Sequence, residues 1–325
     1  MSYNPSELYY TSLQGLKQEG MAYNETGIPM KKVLILTNSF REQAPVEYKV
    51  KRLKEVFASY GVSADVRSAK DLPAGFEDSE TVGFDFSPYG FAIDLDKDEQ
   101  YAYFLETKIP LVNSAKSMSL CNNKFMTYLA LSGSGIRMPY TLPSHLCYTK
   151  GDFSLGKEKD YLDFVESKLS YPLIVKNCYG SLGRQVYLVR DRKELESLET
   201  NLALEQHLFQ KFVKSSVGQD FRILVVGGKA VAWMKRKNDH DFRSNIALGG
   251  VGYAVEPPEE YKRTAEKAAS LLGLDYGGVD LLIGEHGEPV LSEVNSNAFF
   301  SEIEKISRVD VTKILVERLL RKYPL

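Results

Sequence analysis

The sequence is poor in the residues that build disulfide frameworks, zinc sites and histidine-centred catalytic sites. Its 325 residues include three cysteines, Cys121, Cys147 and Cys178, widely spaced and with no C-x-x-C pair. Neither a disulfide scaffold nor a zinc knuckle is indicated, and a cytoplasmic location is expected. The four histidines, His145, His207, His240 and His286, are scattered without ligand spacing. No stretch reaches the about 18 consecutive apolar residues of a membrane-spanning helix, and the polar, Tyr-rich start lacks the basic and apolar regions of a signal peptide. A membrane partner is therefore not expected. An excess of one charge is missing too: 41 Lys plus Arg face 43 Asp plus Glu, a net charge of -2, which supplies no global field to attract nucleic acid. Any anion site must be local.

What is present suits an ordinary folded chain, 43% hydrophobic and 26% charged, of roughly two or three domains. From Lys31, "KKVLILTNSF" reads as strand and loop, and Val46, Val50, Leu53 and Phe57 then recur at helical spacing as far as Gly61. "VSADVRS", "GFAIDLD" and a helical stretch leading into "IPLVNS" extend this into a small α/β domain over residues 31–115. Residues 1–30 form an extension in which Leu8, Tyr9, Ser12, Leu13 and Leu16 could line one short amphipathic helix. Residues 116–208 contain a helix near 121–132 and the strands "YPLIVKN" and "RQVYLVR" around a glycine loop. Residues 209–325 are rich in strands and close with a helix near 309–322.

Three stretches can carry chemistry. "VDLLIGEHGEPVLSEVNSN" reads as a hairpin whose loop is Glu285 to Glu288, so that Asp280 faces Glu293 and Asn295 lies on the same side. Two adjacent buried carboxylates repel unless a cation sits between them, and hard oxygen donors favour Mg²⁺ or Mn²⁺. A solvated hairpin end is the plainer alternative. In "LIVKNCYGSLGRQVYLV", Lys176 ends an apolar strand and Gly180 and Gly183 make a loop able to approach phosphate oxygens. An ordinary hairpin needs glycines as well, and the spacing is not that of a G-x-x-x-x-G-K-[ST] loop. In "GQDFRILVVGGKAVAWMKRKNDHDFRSN", a two-residue Gly227-Gly228 turn sets Arg222 opposite Trp233 and Asp220 opposite Lys235. Asp220, Arg222 and Lys235 then share a face, either as part of a site or as a salt-bridged surface. Arg243, Ser244 and Asn245 follow with groups suited to phosphate or carboxylate oxygens.

Together these stretches resemble the ATP-grasp superfamily, and within it the RimK-like carboxylate-amine ligases. "GQDFRILVVGGKAVA", "DFRSN", "GLDYGGVDLL", "SEVNSN" and "IEK" stand in that branch's order and approximate spacing, with weaker likeness in "NNKFMTYLALSGSGIRMPYT" and "LIVKNCYGSLGRQV". The resemblance implies an α/β (α+β) ATP-grasp fold: an N-terminal α/β pre-ATP-grasp domain and two α+β subdomains clasping ATP. It places Lys124, Lys176 and the loop residues Gly180, Ser181 and Gly183 near the phosphates. Gln210, Lys211, Phe212 and Val213 would form the strand that receives adenine, with Asp220, Lys235 and Ser244 as further nucleotide contacts. Asp280, Glu293 and Asn295 would hold two Mg²⁺ or Mn²⁺ ions. Arg222, Arg243 and Asn245 would serve an acyl phosphate formed from ATP and a carboxylate, which an amine then converts to an amide.

Three positions depart from that pattern. Lys211 stands where an acidic residue is usual, Gln185 where a third glycine is common, and "AFFSEIEK" follows Asn297 where relatives have Pro-Gly, so Phe299 and Phe300 are expected to reshape the acceptor pocket. The implied substrates are small-molecule or peptide carboxylates and amines, with glutamate among the amino acids added, and a homo-oligomer is the default assembly. The competing reading is a nucleotide-binding regulatory or scaffold protein that keeps the fold without ligase turnover.

Overall fold

The computed structural model describes residues 31–40 and 43–325; the helix expected around Leu8 to Leu16 lies outside them. Contacts divide the described residues into two compact units, one running from Lys31 to Val112 together with Thr312–Leu325, the other of Asn113–Val311. The sequence reading grouped the last residues with the strands from 209 onward. They pack instead in the first unit, where Tyr323 lies 5.2 Å from Phe91 and Tyr60 donates to Glu317 at 2.6 Å.

The first unit runs β1 (Lys32–Thr37), α1 (Ala44–Ser59), β2 (Ala64–Ser68), β3 (Ala74–Glu77), β4 (Glu80–Gly83), β5 (Tyr89–Asp94), α2 (Glu99–Glu106) and β6 (Leu111–Val112). Four of these strands form a parallel sheet in the order β2-β1-β5-β6. A central parallel strand is covered on both faces, so its sequence is continuously apolar rather than alternating: Val33, Leu34, Ile35 and Leu36 of β1 are all buried. The strand-loop-helix expected from Lys31 is present, with Leu53, Val56 and Phe57 on the buried side of α1.

The second unit begins with α3 (Ala115–Asn122) and α4 (Lys124–Leu131); α4 is the helix expected near 121–132, and α3 precedes it. Asn123 separates the two. Its backbone is extended and its side chain accepts from the N–H groups of Phe125 and Met126 at 3.1 and 3.2 Å, the work of an N-cap that satisfies otherwise orphaned donors. Lys124 thereby becomes the first residue of a new helix. Next come β7 (Thr141–Pro143), α5 (Leu155–Leu169), β8 (Leu173–Asn177), β9 (Val186–Val189), α6 (Arg192–Leu202) and β10 (His207–Lys211), whose strands form an antiparallel sheet in the order β7-β10-β8-β9. Leu162, Val165 and Leu195 of the helices pack on Leu173, Val175 and Phe209 of that sheet.

The remainder of this unit is β11 (Gln219–Val226), β12 (Lys229–Lys237), β13 (Val251–Tyr253), α7 (Glu259–Leu271), β14 (Tyr276–Ile283), β15 (Pro289–Asn295) and the short α8 (Ser301–Ser307). Its sheet has the order β13-β12-β11-β14-β15. Tyr261, Ala265, Ala268 and Ala269 of α7 cover the face bearing Phe221, Ile223, Val225, Val279 and Leu281. Because strand side chains alternate, that packing turns Asp220, Arg222, Asp280 and Leu282 to the opposite face. Buried Asn113 ties the ends of β14 and β15: its amide nitrogen donates to Tyr276 O and Ser296 O at 2.9 and 2.7 Å, and its oxygen accepts from Asp275 N and Tyr276 N. That uses the full hydrogen-bonding capacity of the amide. Phe300 is fully buried, 5.8 Å from Tyr276, so it belongs to the core and not to an acceptor pocket. Among the described residues no helix is long and apolar enough to cross a membrane.

Candidate active site

Between the two sheets of the second unit lies a cleft. One wall is the uncovered face of the first sheet: Ile174 and Lys176 alternate along β8, Val186 pairs with Lys176, and Gln210 pairs with Ile174. The other wall carries Asp220, Arg236, Asp280, Leu282 and Glu293. Lys211, Phe212 and Val213 continue from β10 along one edge, and Phe242, Arg243, Ser244 and Asn245 bound another.

Most of the residues expected at a site meet here. Lys124, Lys176, Gly183, Gln210, Lys211, Phe212, Val213, Asp220, Arg243, Ser244, Asn245, Asp280 and Glu293 all line the cleft. Gly180, Ser181, Arg222, Lys235 and Asn295 do not. Gly180 touches the site indirectly, because its carbonyl accepts from Lys124 Nζ at 2.9 Å. Arg222 holds Asp280 from the side, Nε to Oδ1 and NH2 to Oδ2, both at 2.7 Å.

The strand registers correct two expectations. A bulge between Leu224 and Val225 shifts the β11–β12 pairing by one residue, so Arg222 faces Met234 and Asp220 faces Arg236, not Trp233 and Lys235. An extra residue on one strand reverses which side chains point to each face. Lys235 thus leaves the cleft face, its ammonium 5.9 Å from the Phe221 ring, and Arg236, which sequence reasoning missed, takes its place. Trp233 packs beside the core under Lys262. In the second hairpin Ile283, not Gly284, faces Pro289, yet Asp280 still faces Glu293 because a bulge between Asp280 and Leu281 restores the phase. The signal available for Arg236 was its cationic neighbourhood, but no residue type marks that bulge.

A buried row of alternating charge results. Arg236 Nε donates to Asp220 Oδ1 at 2.8 Å and its NH2 also meets Asp220 Oδ2; the same NH2 lies 3.0 Å from Asp280 Oδ2. Burial, the largest influence on Asp280, pushes its carboxyl upward, but Arg222 and Arg236 outweigh it and hold the group below the usual carboxylate range. Burial likewise opposes the charge on Arg236, which Asp220 and Asp280 secure. Burial brings Lys176 down to about 8, against the upward pull of Glu293 and Asp280. Lys124 stands 3.6 Å from Glu293.

These donors fit a divalent cation. Asp280 Oδ2 accepts from two guanidinium groups, whereas Oδ1 accepts from Arg222 alone, leaving one of its lone pairs for a metal. Glu293 faces it across the strand pair, and Asn295, two residues further along β15, carries an amide oxygen on the same face. Among the described residues no three His, Cys, Asp or Glu side chains gather closely enough to hold a metal, so a cation here would draw on the two carboxylates and the Asn295 amide oxygen. Oxygen donors of that kind, few in number, suit Mg²⁺, which completes its shell with water and phosphate.

Behind the first sheet, His207 is buried with both ring nitrogens facing acceptors: Nδ1 lies 2.7 Å from Glu205 O and Nε2 2.9 Å from Glu199 Oε1. Only the imidazolium can donate twice. Burial, the largest influence, lowers its pKa, yet Glu199 and the Glu205 carbonyl raise it on balance above the ordinary value. The resulting stabilisation is fully present below the unfolded pKa of about 6.5 and is lost as pH rises through the higher folded value. Urea midpoints should therefore fall from pH 6.5 upward in the wild type, and less steeply in Glu199→Gln. Equal slopes in the two proteins would remove the assignment.

Known proteins of similar sequence and fold place the chain in a family. The sequence profile of the RimK-like ATP-grasp domain matches residues 149–319. The chain is 35% identical over 218 residues to human N-acetylaspartylglutamate synthase A, covering 66% of this chain and 53% of that protein. It is also 35% identical over 209 residues to a probable alpha-L-glutamate ligase of Maridesulfovibrio salexigens, covering 63% of this chain and 65% of the relative. The chain thus spans about half the length of the first curated relatives it matches. Among solved structures, the RimK domain ATP-grasp protein of Sphaerobacter thermophilus superposes with a TM-score of 0.65 at 20% identity, over 88% of this chain and 98% of that one, which shows the ATP-grasp fold. With a matching profile over more than half its length and the same fold, the chain belongs to the RimK-like ATP-grasp family.

Proposed function

We propose that this chain is an ATP-dependent, ADP-forming carboxylate-amine ligase that adds an amino acid, glutamate being the first candidate, to a small-molecule or peptide carboxylate. The observation that carries the reading is one cleft lined by Lys124, Lys176, Arg236 and Arg243 together with the Asp280–Glu293 pair. Cations arranged around paired carboxylates suit a metal-bound polyphosphate better than any neutral ligand. One relative is named a probable alpha-L-glutamate ligase and another an N-acetylaspartylglutamate synthase, and the choice of glutamate rests on those names.

In this reading adenine lies against Lys211 to Val213 and the phosphates run toward Lys124 and Lys176. The substrate carboxylate attacks the γ-phosphorus, ADP leaves, and the amine displaces phosphate from the acyl phosphate to form the amide. Mg²⁺ or Mn²⁺ held by Asp280, Glu293 and Asn295 would neutralise the phosphate oxygens as charge develops on them. Lys124 and Lys176 supply fixed positive charge in a partly desolvated wall, where each counts for more than in water. Arg222, anchored on Asp280, keeps that carboxylate ionised and orients it.

ADP release measured with ATP, Mg²⁺, glutamate and a panel of small dicarboxylates and acidic peptides tests the proposal. A ligase releases ADP over many turnovers only when acid and amine are both present, because acid alone stops at one acyl phosphate per site. The alternative, a nucleotide-binding scaffold, draws on the double guanidinium contact of Asp280, and it wins if ATP binds and no pair on the panel gives ADP above the single-substrate controls.

A further inference from the structure

Arg243 is expected to meet an anion, yet its guanidinium is already largely committed. Nε donates to Asp241 Oδ1 at 2.9 Å and NH2 to Asp241 Oδ2 at 2.7 Å, while NH1 donates to Gly183 O at 2.8 Å and to Val186 O at 3.3 Å. A guanidinium has five N–H donors, and these contacts occupy all but one, on NH2. The Asp241 carboxylate also accepts from the backbone N–H of Arg243, which fixes the fork in one orientation. Hydrogen bonding from Arg243, the largest influence, holds that carboxyl below the ordinary range.

The contact is tight on the loop side as well. Gly183 has φ +74, and a Cβ there would stand 2.7 Å from Asn245 Oδ1 and 3.0 Å from Leu248 Cδ1. The glycine loop is fastened at its other end by Lys124 through the Gly180 carbonyl. Both fasteners are cations that line the cleft.

We propose that Asp241 and Arg243 form a latch for the glycine loop, against which Asn245 leaves room only for a glycine at 183, with Asp241 as the positioning residue that aims the Arg243 fork at the Gly183 and Val186 carbonyls. Closure of the loop and presentation of the one remaining Arg243 donor to a phosphate are then a single event. This rests on the nucleotide reading of the cleft. A cation acting only through its charge would be replaceable by lysine; a fork that ties two carbonyls while gripping a carboxylate is not.

The test uses the full chain and three variants, Asp241→Asn, Arg243→Lys and Gly183→Ala. Two quantities are read: amide hydrogen exchange across residues 181–186, and the KM for ATP separately from kcat. Asp241→Asn and Arg243→Lys should each speed exchange in the loop and raise KM about tenfold, the effect of losing one charge-assisted hydrogen bond, with a smaller change in kcat. Gly183→Ala approaches the same contact from the loop and should give the same pattern. Wild-type exchange and KM in Asp241→Asn or in Arg243→Lys overturn the latch. Absence of ATP binding to the wild-type protein by calorimetry removes the nucleotide reading instead, and the exchange data still report whether the loop is fastened.

Discussion

Replacing Glu293 with glutamine is expected to lower metal-dependent ATP turnover at least about a hundredfold, the loss typical of removing one electrostatic partner of a developing charge, while leaving stability nearly unchanged. The two halves of this expectation have separate causes. Glu293 contributes one of two carboxylates to the proposed metal, and glutamine keeps its shape but not its charge. In the folded protein, however, its ion pair is the contact with Lys124 at 3.6 Å, and its side chain is 23% exposed. A pair of that kind contributes about 1 kcal/mol or less. Turnover at the wild-type rate in Glu293→Gln, assayed with Mg²⁺ and with Mn²⁺, would refute the metal assignment.

Asp280→Asn should behave differently. It too loses turnover, but it also strips Arg222 of its bidentate partner and leaves Arg236 with Asp220 alone. Breaking a buried pair by removing one partner costs about 3–5 kcal/mol, because an uncompensated charge stays in a low-dielectric place. The urea midpoint should fall well below that of Glu293→Gln, although the two residues face each other across one strand pair. A midpoint equal to the wild type would mean that the guanidinium contacts do not hold this wall together. The contrast separates two jobs that a sequence alignment of acidic positions would merge: Asp280 is part of the scaffold as well as the proposed metal site, and Glu293 is not.

Much of this site was legible before any coordinates. Lys176, Asp280 and Glu293 stand out because charged residues interrupt apolar strands, and the cost of burying an unpaired charge makes such interruptions informative. The strand-loop-helix at Lys31 followed from periodicity; the pairing of Asp280 with Glu293 followed from a count that was one residue off at the turn and that a bulge brings back into phase. Arg236 and the face of Lys235 did not, since both depend on a bulge at Leu224–Val225 that inverts the count from the Gly227-Gly228 turn. The break between α3 and α4 was written in Asn123, a good capping residue, but capping and mid-helix asparagines look alike until the backbone is known. The role of Phe300 was misread for a related reason: an aromatic near a site motif can as easily belong to the core, and only its contact with Tyr276 decides.

The two bulges set a boundary on how this sheet can change length. Each lies between a hairpin tip and the acidic wall, at Leu224/Val225 on one ribbon and Asp280/Leu281 on the other. An insertion at either tip is absorbed as extra loop when the strand pairing below it stays unchanged. An insertion of one residue between a bulge and the wall has no such buffer and would swap the carboxylates with the aliphatic side chains now under α7. The ribbons are thus free to drift in evolution at their ends and rigid in phase only where the charges sit.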